Sequence, residues 1–272
     1  MKIKFTICAF LAVTALSTAQ KSSVFESKIQ PEKKYSVESV SLNNISMDIP
    51  TQGPMTLLQE SKAPFVMTAT KAAANGSIPV EIKYGEGTIN QTVNGQPMSQ
   101  KSPVSGMVVL GNYDASGNFT LESVKGDNVT EELKTLLNTM LESGLKQINF
   151  PKKALAIGDT FDDTTPLKIP LAQLGTLNAT IKSTYKLTKI ENGIGFFDTT
   201  QSLSMDPQKD TEGVKATATG TGSGKVEVYI ADKYIKKNAV NMDMDMTIEA
   251  SGMKLDMKSK STSSTTATVS KL

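Results

Sequence analysis

The chain has 272 residues, and its 29 basic residues, all lysine, face 27 acidic ones. It has no His, Arg or Trp, and its one Cys is Cys8. These absences exclude a Ser-His-Asp triad, a Cys-His pair and histidine metal ligands, and they remove the Arg fork that grips phosphate. With only 6% aromatic residues, a platform for stacking sugars or bases is not expected either.

Lys2 and Lys4 precede an apolar run from Phe5 to Leu16, too short to span a bilayer. Ser17-Thr18-Ala19 follows with small residues. The pattern is that of a secretory signal peptide over residues 1–19, cleaved after Ala19. Cys8 lies inside the apolar run rather than at its end, so lipidation is not expected. Cleavage removes two lysines and leaves 27 against 27, a chain of near-zero net charge. Such a surface gives no general attraction to nucleic acid. The mature chain is then Cys-free, so export brings no disulfide framework. No later stretch reaches transmembrane-helix length. The expected location is periplasmic or extracellular.

Alternation dominates the rest, and the fold class read from it is mainly β and antiparallel. Tyr35-Ser36-Val37 opens a strand that runs on through Val40 and Leu42. Phe65 to Thr70 alternates, and Asn75-Gly76 marks a hairpin. Ile78, Val80, Ile82 and Tyr84 share a face. Met107 to Tyr113 and Phe119 to Val124 flank a turn at Asp114-Ala115-Ser116-Gly117.

One segment has helical spacing. From 129 to 148 the apolar positions are Val129, Leu133, Leu136, Leu137, Met140, Leu141, Leu145 and Ile148. Asn128 is placed to cap it, with Glu131 three residues on, and Pro151 stops it. Expected is one long amphipathic helix of about twenty residues, roughly 30 Å long.

Strands resume after it. Ala179 to Ile190 ends at Asn192-Gly193, Gly195 to Met205 follows, and Val226, Val228 and Ile230 form another. Lys209 to Gly222, rich in Thr and Gly, reads as loop or edge strand. The order of turns in 30–127 recurs in 150–272 at a near-constant offset, which suggests duplicated halves joined by the helix. Common turn signals recurring in any antiparallel protein give the same pattern.

The last hairpin can be registered from the sequence. Val240, Met242, Met244, Met246 and Ile248 alternate with polar residues, as do Met253, Leu255 and Met257. Pairing Ala250 with Met253 puts Ile248 opposite Leu255 and Met246 opposite Met257. It also sets Glu249, Asp245 and Asp243 opposite Lys254, Lys258 and Lys260, and a one-residue slip would put charge on the apolar face.

The acidic residues offer little chemistry. Asp162 and Asp163 are adjacent in a strand and point to opposite faces. Asp243 and Asp245 are matched by lysines, and Asp159 follows Gly158 in a turn. No G-x-S-x-G elbow appears. The chain is therefore read as non-enzymatic, with no catalytic residue, metal or cofactor. The candidate ligand-binding residues are apolar: Leu133, Leu136, Leu137, Met140 and Leu141 on the helix, and Met242, Met244, Met246, Met253 and Met257 on the hairpin. Met is pliable and suits surfaces that accept varied apolar ligands, although an ordinary core accounts for the same stripe.

The segment from Phe150-Pro151-Lys152-Lys153 through Ile157-Gly158-Asp159-Thr160-Phe161, followed by long alternating strands, resembles secreted β-rich families of unknown function from Gram-negative bacteria. The arrangement is distantly similar to the LolA-like lipoprotein-carrier fold. That resemblance implies an incompletely closed antiparallel barrel, or two packed β-halves, of about eleven strands with a helix against the concave face. It also implies a pocket for an acyl chain. One helix and no Arg depart from it. The function expected is binding or carrying an apolar ligand between helix and sheet. The alternative is a structural or protein-interaction component of the cell envelope.

Overall fold

A computed structural model describes residues 21–49, 53–127, 129–144, 148–171, 175–205, 214–250 and 253–272. The signal-peptide assignment lies outside them. The strands are β1 (Ser22–Ser23), β2 (Lys33–Ile49), β3 (Gly53–Lys62), β4 (Phe65–Ala69), β5 (Ile78–Tyr84), β6 (Thr88–Val93), β7 (Gln96–Lys101), β8 (Val108–Tyr113), β9 (Phe119–Lys125), β10 (Leu155–Ala156), β11 (Thr160–Leu171), β12 (Gly175–Glu191), β13 (Ile194–Met205), β14 (Val214–Tyr229), β15 (Tyr234–Ala250) and β16 (Met253–Lys271). The helix described is α1 (Glu131–Gly144).

Fourteen of the strands form one antiparallel sheet, ordered β11-β12-β13-β14-β15-β16-β2-β4-β5-β8-β9, with β3, β6 and β7 branching from β2. The branch arises because β2 is long. Its first half pairs with β4 and its second half with β3. Three strand pairs, β3 with β4, β5 with β6 and β7 with β8, are each one strand broken at a common level. Gly87 explains the level, since a Cβ there would overlap the Lys62 carbonyl and crowd Ser102. Glycine lets the three breaks stack. Taking each broken pair as one strand, the sheet has eleven.

The sheet does not close into a barrel. Its path ends at β9 and β11, which are separated in sequence by α1 and the short strand β10. The helix rests against both of these strands. It is fourteen residues long rather than the twenty expected from 129 to 148. The cap is Thr130, whose Oγ1 accepts a hydrogen bond from the Leu133 amide at 3.2 Å. Asn128 lies outside the described residues. Ile148 continues the apolar spacing but is not helical. It packs instead beside Phe25 and Phe197, with Phe150 and Phe161.

Tertiary context corrects one further reading. From Val214 onward the Thr/Gly stretch is strand rather than loop: β14 pairs with β15 along its length, and from Thr219 it also pairs with β13. Ala216, Ala218, Gly220, Gly222 and Gly224 form a column on its inner face, and Met242 and Leu203 from the flanking strands lie over Gly220. Small residues are required there. Val40 and Leu42 fall on the outer face, at 38% and 44% exposure, whereas Tyr35 and Val37 point inward.

The hairpin register matches the sequence reading residue by residue, from Ala250 opposite Met253 to Asp243 opposite Lys260. Among the charged neighbours, Lys254 binds Asp256 on its own strand at 2.8 Å. The Asn75-Gly76 and Asn192-Gly193 turns lie between paired strands, as does Asn94-Gly95, and Asn192 and Gly193 adopt positive φ of 50° and 74°. Asp162 is exposed and Asp163 buried, on opposite faces as expected.

Two of the three core clusters lie at one end of the inner face, here the base. One cluster joins Tyr35, Met67, Ile82, Val109, Tyr113 and Tyr234 with Leu141 of the helix. A second joins Phe25 and Leu155 with Leu187, Phe197, Val226 and Val228. The segment before β2 and the residues after α1 thus cover the base. The opposite end is the rim.

Candidate ligand-binding face

The inner face changes character from base to rim. Above the base clusters, polar residues form a belt. Asn43 lies opposite Ser261 and Gln59, and Gln59 opposite Gln91. Ser183 lies opposite Asp163 and Gln201. Asp163 is held rather than free. Its carboxylate accepts hydrogen bonds from the Asn149 side chain and the Thr164 amide, both at 2.9 Å, and from the Asn149 amide at 3.3 Å. That fastens the residues after α1 to β11.

Above the belt the face is apolar again. Met246 stands opposite Met257, Met257 opposite Met47 and Met47 opposite Met55. On the other side, Met246 faces Ala218 of β14. Four methionines therefore sit side by side on four adjacent strands. One level nearer the belt, Ser259 faces both Met244 and Ile45, Ile45 faces Leu57, and Leu57 faces Val93. Met246 is 4% exposed and packs with Leu203, Ala216, Ala218 and Ile248. Ile45, Met47, Ile49, Met55, Leu57 and Val93 are half-buried and belong to none of the three core clusters. Strands β3 and β6 make extensive contact only with their sheet neighbours.

The expected site residues divide. Leu137 and Leu141 are buried and Leu133 is half-buried. The side chains of Leu136 and Met140 lie outside the description. Met242, Met244 and Met257 are half-buried, while Met253 is 58% exposed beside the hairpin end. The helix and methionine groups do not share a cluster. Leu141 packs at the base with Met67 and Val109, and Met246 at the rim with Leu203. Met47 and Met55 were not anticipated as site residues. The alternation Ile45-Ser46-Met47-Asp48-Ile49 carried the signal for Met47.

Electrostatics follow the same division. The ion pairs at Glu60–Lys62, Glu81–Lys83, Lys189–Glu191 and Lys254–Asp256 run along single strands. At the base, Lys33 meets Asp232 at 2.9 Å. Burial raises the phenols of Tyr113 and Tyr234 well above the ordinary tyrosine range and pushes Tyr84 up to about 12. A hollow of about 710 Å³ opens at the base between Val24–Pro31, the β8–β9 turn and residues 148–152. It is lined by none of the candidate methionines and none of the candidate residues Leu133 to Leu141.

No family model matches the sequence, and no curated protein matches it. Among solved structures the chain is similar to one described as lipid–protein interactions in lipovitellin, with 10% identity and a TM-score of 0.52. The match covers 90% of this chain and 26% of that one, so this chain spans about a quarter of the lipovitellin chain. OccK7 of Pseudomonas aeruginosa matches at 8% identity and a TM-score of 0.31, over 87% of this chain and 99% of that one. A BenF-like porin from Pseudomonas fluorescens matches at 8% identity and a TM-score of 0.23, over 89% and 99%. What the lipovitellin likeness shows is fold: a large antiparallel sheet. Among the described residues, no helix is long and apolar enough to cross a membrane.

Proposed function

We propose that this is an exported, non-enzymatic protein that binds an apolar ligand, an acyl chain or lipid, on the rim of its inner face. The observation that carries the reading is the half-buried apolar surface of Ile45, Met47, Ile49, Met55, Leu57 and Val93, continuous with the methionines of β15 and β16. A folded chain gains by covering such a surface, at roughly 25 cal/mol per Å². Pliable thioethers adapt to a chain of indefinite shape. The fold likeness to lipovitellin, and the more distant resemblance to lipoprotein carriers, agree with this use of an open sheet. The ligand moves from the helix–sheet interface, where the sequence placed it, to the rim. Export to the periplasm or cell surface follows from the signal-like leader.

The test is displacement of a fluorescent fatty acid from the mature chain. Met47→Lys should abolish saturable binding, and Lys258→Ala, on the outer face, should leave it intact. Absence of saturable binding by the unsubstituted chain sinks the proposal.

A second reading rests on the other face. Val40, Leu42 and Leu58 are 38–44% exposed on neighbouring outer positions of β2 and β3. A protein partner in the envelope docking there would leave the rim unoccupied. Leu42→Asp would then disrupt the assembly without affecting fatty-acid binding.

A further inference from the structure

The four register-matched methionines have a second chemistry, independent of the apolar-ligand reading. We propose that Met246, Met257, Met47 and Met55 form a thioether site for a soft monovalent cation, Cu(I). Thioether sulfur is a soft donor that selects Cu(I) over hard and borderline cations. Neighbouring strands lie about 4.8 Å apart, and side chains at register-matched positions on one face run alongside each other. Each methionine has three rotatable bonds, so sulfurs starting at that spacing can converge on one ion.

Two further observations favour a soft ion. The chain has no His, and its only Cys is Cys8, so thioethers are the only soft donors beyond that residue. The row is bordered by Ile248, Leu255 and Ile49 above and by Met244, Ser259 and Ile45 below, uncharged surroundings suited to a weakly hydrated monovalent ion. Access is from the side of Met47 and Met55, which are half-buried, whereas Met246 anchors the buried end. Leucine would supply the same apolar volume at these four positions without the sulfur.

Two titrations of the mature chain test it. Ag(I), a redox-stable mimic, is followed by the methionine methyl resonances. Cu(I) is measured by competition with bicinchoninate. The methyls of Met47, Met55, Met246 and Met257 should shift together and saturate. Met47→Leu/Met257→Leu should lower Cu(I) affinity about 10- to 100-fold or more, while its melting stays unchanged. Leucine keeps the apolar volume and removes only the sulfur, so a selective loss of Cu(I) affinity reads the thioether donors. Should the double variant melt early, Met47→Leu alone carries the same reading. The proposal is overturned if exposed Met98 and Met253 respond as strongly as the row. Unchanged affinity in the leucine variants overturns it equally.

Discussion

The ring of Phe25 lies directly on the backbone of Gly195. A Cβ at that glycine would overlap the ring edge, and the same ring meets Phe197 edge-on at 5.0 Å. This contact fixes the segment before β2 across the base of β13, where Phe150 joins it at 5.8 Å. The base is thus bridged by residues far apart in sequence.

Gly195→Ala should therefore destabilise by about 1–3 kcal/mol through overpacking. In a Phe25→Ala background the same substitution should cost much less, because the ring it displaces is gone. Denaturant melts of the four members of the cycle measure the coupling. Additive losses would show that Phe25 does not rest on Gly195.

Leu137 is 1% exposed on α1, and Leu133, one turn earlier, is half-buried. Leu137→Ala should cost ~2–5 kcal/mol. Leu133→Ala should cost distinctly less. Equal losses in urea melts would contradict the helix orientation described.

The two adjacent aspartates of β11 should differ sharply. Asp163→Ala leaves the part-buried amides of Asn149 and Thr164 without their acceptor, a loss of about 1 kcal/mol or more. Asp162 is exposed and accepts from the Thr184 hydroxyl at 2.6 Å. Asp162→Ala should change the melting midpoint little.

Tyrosine ionisation should set the alkaline limit of stability. Burial raises Tyr35, Tyr113, Tyr185 and Tyr234, and Tyr84 to about 12. Unfolded tyrosine ionises near ~10. Above that pH the unfolded chain binds fewer protons than the folded one, so stability falls as pH rises. The tyrosine contribution should be intact below about pH 10 and lost progressively towards pH 12 and beyond. Phenolate absorbance should then appear together with loss of β-sheet circular dichroism. Phenolates forming at normal pH within a folded protein would refute the burial described.

What the sequence disclosed depended on side-chain contrast. The β15–β16 hairpin was legible to the residue because apolar and charged positions alternate from Asp243 to Lys260, leaving one register free of buried charge. The Asn-Gly turns were legible from their backbone demands. Ser261–Lys271 was not, because its Ser and Thr residues lack apolar alternation and the strand is held by ladders to β15 and β2 on both sides. Gly220–Gly224 misled for a related reason. Composition reports the residues themselves, whereas their smallness answers to Met242 on the next strand. The helix was recognised but overextended, since Ile148 keeps helical spacing while packing with Phe25 and Phe197. The methionine row needed the pairing of β2 with β16, which no local pattern announces.

That pairing also governs when the molecule can form. Val37 lies opposite Ala267, and sixteen residues of β2 are matched along β16. Until β16 has been synthesised, β2 has only its partners β3 and β4, and β15 has only β14. Loop closure over nearly the whole chain must come before the sheet becomes continuous, so folding should be slow for a chain of this size and late in synthesis. A nascent chain in that condition displays two long unpaired edges, which invite chaperones and, without them, aggregation.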